Sequence, residues 1–132
     1  MVNKEGKKAV ENLWRKEKYK VMYYNQNQYN SIRQLMREQL DDIHILEQII
    51  YETYRMTPTR GSKLNSYQHM WGYFKKIATE DEKSQYQTFI QNFDSNESEL
   101  HILLKQLAEK YDVQYLKNSG IFKIRCCCFI LY

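Results

Sequence analysis

The chain has 132 residues with 42% hydrophobic content, one Pro and four Gly, a length for one domain and a composition that favours long helices over a turn-rich sheet protein. Its formal net charge is +4; the start, MVNKEGKK, has no apolar stretch behind its charges, and no run approaches the roughly 18 apolar residues of a spanning helix, so a secreted or membrane-spanning protein is not expected. The three cysteines, Cys126 to Cys128, are consecutive, which suits neither a disulfide framework nor the spaced ligands of a zinc site, and reduced thiols fit a cytoplasmic protein.

The apolar pattern predicts a first helix from about Lys4 to Tyr23, burying Ala9, Val10, Leu13, Trp14, Val21 and Met22. Lys18 lies on that same side, either laying its methylenes over the core edge or serving as a ligand-facing cation. Asn25 to Gln28 interrupt the pattern and read as a loop and N-cap. A second helix is expected from Tyr29 to about Leu40, with Ile32, Leu35, Met36 and Leu40 inward and Arg33 and Arg37 on another face. Asp41 and Asp42 suit the N-terminus of a third helix, which carries Ile43, Leu46, Ile50 and Tyr54 and ends before Pro58.

The stretch Pro58 to Lys76, PTRGSKLNSYQHMWGYFKK, is predicted to be helical from near Ser62. Leu64, Tyr67, Trp71, Phe74 and Ala78 make its apolar stripe, while Asn65, His69, Gly72, Tyr73 and Lys76 share a polar face beside it. Gly72 leaves room there for close approach to the backbone. Thr79 with Glu82 forms a capping box for a further helix bearing Tyr86, Phe89, Ile90 and Phe93. Asp94 to Ser98 reads as a polar loop, and Ser95 or Ser98 as the cap of a last long helix with Leu100, Leu103, Leu104, Leu107, Ala108 and Tyr111. The fold class is therefore all-α, a compact single-domain bundle of about five to six helices over residues 1–118. Residues 119–132 form an atypical apolar tail with three readings: an edge strand or buried tail, S-acylated cysteines beside Lys123 and Arg125, or a non-native or truncated end.

Charge is distributed unevenly along the chain. Residues 1–20 carry seven Lys/Arg against three Glu, and the window from Thr53 to Thr79 contains no acidic residue but five cations, Arg55, Arg60, Lys63, Lys75 and Lys76. Glu80, Asp81, Glu82, Asp94, Glu97 and Glu99 then make an acidic stretch.

Trp14, Lys18, Tyr19, Met22, Tyr29, Pro58, Asn65, His69, Gly72, Tyr73, Phe74, Lys75, Glu82, Lys83, Tyr111, Tyr115 and Leu116 together resemble the YbgA-like family, a domain of unknown function. The resemblance covers about residues 10–118, and its most specific part is the N-x-x-x-H-x-x-G-Y-F-K pattern from Asn65 to Lys75. In that family the domain stands alone or behind a cysteine-rich iron-sulfur domain that resembles desulfidases acting on thiolated pyrimidines. The resemblance implies an accessory module for nucleobase or tRNA chemistry, with an iron-sulfur desulfidase-like protein as a partner. The chain departs from the family's pattern after Gly120, where relatives end in a Pro-Tyr-Pro or similar motif.

No self-contained catalytic constellation is visible. The three histidines, His44, His69 and His101, stand on separate predicted helices, and no metal-ligand spacing, phosphate-binding glycine loop or nucleophile elbow occurs. Neither a catalytic residue, a metal nor a cofactor is therefore assigned. The first functional expectation is RNA binding, most specifically to tRNA: Lys18, Arg60, Lys63, Lys75 and Lys76 meet phosphates, while Tyr19, Tyr73 and His69 stack on or hydrogen-bond to a base, with Asn65 one turn from His69. The second is a protein-interaction module that docks a desulfidase-like or repair enzyme through the same basic and aromatic side chains. A third is an enzyme using His69 with Asn65 and a lysine. A solvated basic face is the bland alternative to all three.

Overall fold

The computed structural model describes residues 2–123, and among them every regular element is helical. The order is α1 (Lys4–Tyr24), α2 (Gln26–Arg37), α3 (Ile43–Tyr54), α4 (Arg60–Trp71), α5 (Glu80–Gln91), α6 (Phe93–Lys110) and α7 (Gln114–Lys117), followed by a 3₁₀ turn at Gly120–Lys123. The expected five to six helices thus become seven; the extra one is the single turn α7, too short for periodicity to reveal. Cys126 to Cys128 and the rest of the terminal apolar run lie outside the described residues.

The first helix is the hub, packing on α2, α3, α4 and the 3₁₀ turn, while α4 also meets α6 and α6 pairs with α5. Asn3 starts α1 by accepting from the Glu5 and Gly6 amides at 3.1 and 3.2 Å, and its own N–H donates to Asp41 Oδ2 at 2.6 Å. Gly6 is required there, because a Cβ would lie 2.1 Å from the Asp41 carbonyl oxygen. The α1–α4 seam is close for a similar reason: small Ser62 and Ser66 turn inward and donate to the Tyr23 and Tyr19 carbonyls at 2.8 and 2.7 Å. Those two bonds run the helices antiparallel and fix which face of α4 is inside.

The junctions differ from expectation in ways the backbone explains. Between α1 and α2 the expected loop at Asn25 to Gln28 shrinks to Asn25 alone. Its N–H closes α1 on Val21 O at 2.9 Å, and its side chain caps the Gln28 amide at 3.0 Å, so no further loop residue is needed. Helices α2 and α3 are separate, because α2 ends in a Schellman motif: Gln39 N–H donates to Met36 O and Leu40 N–H to Leu35 O, both at 3.0 Å. Gln39 pays for the motif with a left-handed φ of 61°. Relief of that conformation, roughly 1–2 kcal/mol, exceeds the unfolded-state entropy added by glycine, ~0.4–1 kcal/mol. Gln39→Gly should therefore raise the urea midpoint, gaining about 0.5–1 kcal/mol. Asp112→Gly should gain less despite its φ of 52°, since it forfeits the Asp112 bonds to Lys117 and Gln114.

The central stretch starts earlier and ends sooner than its stripe suggests. Thr59 and Ser62 form a capping box that opens α4 at Arg60, and the α-helix stops at Trp71 instead of running on to Lys76. From Gly72 the winding tightens to i→i+3 bonds, with Tyr73 N–H on Met70 O at 3.1 Å and Phe74 N–H on Trp71 O at 2.8 Å. Tyr67, Met70 and Phe74 are fully buried, whereas Tyr73 is 37% exposed. Among the described residues, a Cβ on Gly72 would meet only the His69 carbonyl of its own helix, at 3.1 Å. Trp71 stacks flat on Tyr86 of α5, with centroids 4.1 Å apart and 6° between planes.

The Thr79–Glu82 box forms as expected, but Glu82 does more than cap. Its carboxylate accepts from the Thr79 amide at 2.8 Å, Lys110 Nζ at 2.6 Å and Tyr111 Oη at 2.5 Å, tying the start of α5 to the end of α6. The Lys110 and Tyr111 bonds, then the Thr79 amide, hold its pKa down at about 2. The expected loop at Asp94 to Ser98 is instead helical: α6 begins at Phe93 and bends at Asn96, where φ is −127°, and neither Ser95 nor Ser98 caps it. After α7, Ile121 and Phe122 join the core. A Cβ on Gly120 would sit 2.1 Å from the Glu17 carboxylate and 3.3 Å from Lys16 O, so glycine lets the 3₁₀ turn lie directly against α1.

Candidate functional site

Around α1, tyrosines from four elements gather near cations, Tyr19 and Tyr29 buried and Tyr73 and Tyr115 accessible. Tyr19 and Lys18 come from α1, Tyr29 and Arg33 from α2, Tyr73 from the turn after α4, and Tyr115 from α7. Tyr19 and Tyr73 share a hydroxyl hydrogen bond at 3.1 Å with their rings edge to face, and the Tyr73 and Tyr115 rings lie 6.1 Å apart at 24°. Lys18 Nζ stands 5.6 Å from the Tyr19 centroid and 6.0 Å from that of Tyr115; Arg15 lies 6.0 Å from Tyr115 and Arg33 5.8 Å from Tyr29. These distances are within the range of cation–π attraction. Trp14 supports the group from below, its ring 5.6 Å from Tyr29.

The electrostatics follow from partial burial. Desolvation, helped by nearby Arg33, lowers the pKa of half-buried Lys18. Burial raises Tyr19 well above the ordinary phenol range, with the Tyr73 hydroxyl adding to it, and burial also raises Tyr29 and Tyr115. Among the described residues no carboxylate is ion-paired with Arg15, Lys18 or Arg33.

The nine residues expected in a site divide into groups. Lys18, Tyr19 and Tyr73 converge as described. Arg60 and Lys63 do not join them as open cations: Arg60 Nε pairs with Asp94 at 2.7 Å, and Lys63 Nζ with Glu97 at 3.2 Å, while Glu97 also accepts from Tyr23 Oη at 2.8 Å. The acid-free window is acid-free only along the chain, because α6 brings its carboxylates back over α4. Asn65 donates to Gln26 Oε1 in a short bond and lines a polar cleft of about 380 Å³ beside Thr59 and Asn25. His69, Lys75 and Lys76 are exposed. Asn65, one turn from His69, spends one amide N–H on Gln26.

Arg15, Tyr29, Arg33 and Tyr115 were missed as site residues. Spacing held a partial signal, since Arg15, Lys18 and Tyr19 fall at i, i+3 and i+4, and Tyr29 and Arg33 at i and i+4. The meeting of those two faces with Tyr73 and Tyr115 is tertiary. No group of three or more potential metal-ligating side chains gathers among the described residues. His101 is buried against Tyr67, with Nδ1 and Oη 2.9 Å apart, and His44 pairs with Glu47 at 3.1 Å on the surface.

Fold and site together define an all-helical domain whose candidate site is built from tyrosines and cations, and no helix among the described residues is long and apolar enough to cross a membrane. The chain belongs to the family described as Protein of unknown function (DUF1722), whose model matches residues 18–124, in agreement with the YbgA-like pattern at Asn65 to Lys75. No curated protein and no solved structure matches the chain.

Proposed function

We propose that the domain is a cytoplasmic accessory module that binds RNA, with tRNA as its principal ligand, through the tyrosine–cation cluster. The observation that carries this reading is Lys18, half-buried among Tyr19 and Tyr115 and near Arg33, with no carboxylate ion-paired to it among the described residues. A desolvated ammonium without a compensating anion gains most from an incoming negative group. Phosphates supply that charge, and the accessible rings of Tyr73 and Tyr115 supply sequence-tolerant stacking for bases. The link to nucleobase desulfuration or modification rests on the family resemblance and makes the module a substrate-presenting partner of an iron-sulfur enzyme.

The test is titration of labelled tRNA across salt concentrations. With about three cations on phosphates, log affinity should fall against log salt with a slope near 2–3. Arg33→Ala should weaken binding and reduce that slope by about 1, whereas Arg60→Ala, whose charge Asp94 already compensates, should change little. A flat salt response, or equal losses for the two variants, overturns the reading.

A further inference from the structure

Beside the tyrosine cluster, a groove of about 700 Å³ opens between α1, α7 and the 3₁₀ turn. Three of its walls' side chains are cations, Arg15 and Lys16 from α1 and Lys123 from the turn, and none of its described lining residues is acidic. Three more are primary amides, Asn12, Gln114 and Asn118, and the ring of Tyr115 provides an aromatic face. The geometry is braced from outside: Asp112 accepts from both Gln114 Nε2 at 2.9 Å and Lys117 Nζ at 2.8 Å. Gly120, which has no side chain to hold α1 away, brings Lys123 to the same groove as Lys16.

We propose that this groove binds a nucleoside monophosphate unit, free or at the end of an RNA strand. The proposal rests on the RNA-binding reading and names a second, pocket-like element of it. Each part of the lining answers one part of that ligand. Arg15, Lys16 and Lys123 meet a phosphate dianion, as charge-assisted donors do. The Tyr115 ring, which Arg15 already faces, accepts a base on its plane. The three amides each offer a donor and an acceptor, the pairing that base edges present. A volume of about 700 Å³ lies within the range of small-molecule clefts. An acidic peptide would use the cations but leave the aromatic face and the amide set without a matching partner.

The experiment titrates the full-length protein with adenosine 5′-monophosphate, adenosine and inorganic phosphate, following backbone amide signals by NMR. Saturable binding of the monophosphate, tighter than either fragment and moving the Asn12, Lys16 and Gln114 signals, is expected. Lys16→Ala should weaken it about tenfold, the equivalent of ~1.4 kcal/mol, while Lys83→Ala, on α5 and paired there with Glu80, should leave it unchanged. A 5′-phosphorylated RNA hexamer that outcompetes its 5′-hydroxyl counterpart identifies a strand end as the source, displacement of the monophosphate by neither identifies the free nucleotide, and equal displacement by both overturns the monophosphate assignment. Monophosphate binding no tighter than inorganic phosphate overturns the inference. So does tRNA binding that persists while the monophosphate fails to bind, a result that leaves the RNA-binding reading standing; Arg33-dependent tRNA binding is the readout of that reading alone.

Discussion

Phe74→Ala should cost about 3–5 kcal/mol of unfolding free energy, the range for removing a fully buried ring from a packed core. Phe74 is wholly inaccessible, with its centroid 6.4 Å from that of Trp71 and 6.2 Å from that of Tyr111. Its ring therefore holds the exit of α4 against the end of α6, where backbone shifts can close only part of a cavity. The neighbouring Tyr73→Ala is the control. That side chain is 37% exposed and loses the hydroxyl bond to Tyr19 and its ring contacts with Tyr19 and Tyr115, a cost of about 2 kcal/mol. Urea unfolding of both variants separates the two, with the midpoint falling further for Phe74 at an unchanged m-value. A loss below about 1 kcal/mol for Phe74→Ala would show that the α4 exit repacks and is not the rigid corner inferred here. RNA affinity should respond in the opposite order, with folded Tyr73→Ala protein impaired.

Acidification should weaken the fold in two successive windows. His101 is 5% exposed, shares a hydrogen bond with Tyr67 and faces the Phe122 ring at 5.3 Å. Burial, aided by Lys105 and opposed by Glu97, holds its pKa near 4 instead of 6.5. The folded pKa is depressed, so between these values the unfolded chain binds more protons than the folded one, and stability falls as pH falls. The contribution is complete above pH 6.5 and lost by about pH 4, a total of roughly 3 kcal/mol at about 1.4 kcal/mol per pKa step. Glu82 follows lower: its carboxylate contribution is present above 4.5 and disappears as pH falls through about 2. Urea midpoints measured from pH 7.5 to 4.5 test the first window. His101→Gln, whose amide offers the Tyr67 hydroxyl either a donor or an acceptor but cannot titrate, should flatten the profile. Parallel profiles for the wild-type and variant proteins would assign the acid sensitivity to other groups.

The helical class and the starts of α1, α3 and α5 were legible because they depend on neighbours in sequence. Thr79 and Glu82 form their box, Asp42 caps α3 by accepting from the His44 amide at 3.0 Å, and the Leu100, Leu104 and Leu107 stripe is buried. Helix ends were less legible. Gln39 adopts a left-handed conformation and Gly72 tightens the backbone, and in each case the decision rests with packing that residue type alone does not report. The buried side of α4 shows the same limit: Ser62 and Ser66 look like surface residues, yet both face α1 because its carbonyls accept their hydroxyls.

The stretch from Pro58 to Lys76 illustrates the division between the two levels of information. By itself the sequence determined an amphipathic helix there, its apolar residues, its membership of a recognisable pattern and the cations near it, all properties of composition and of spacing within a few turns. Only the tertiary structure decided which of those cations have intramolecular partners. Arg60 and Lys63 are met by Asp94 and Glu97, each 34 residues away, whereas Lys18 lies within cation–π range of Tyr115 from α7. Coulomb attraction and ring contact act over ångströms of space, and residues distant along a folded chain can be nearest neighbours.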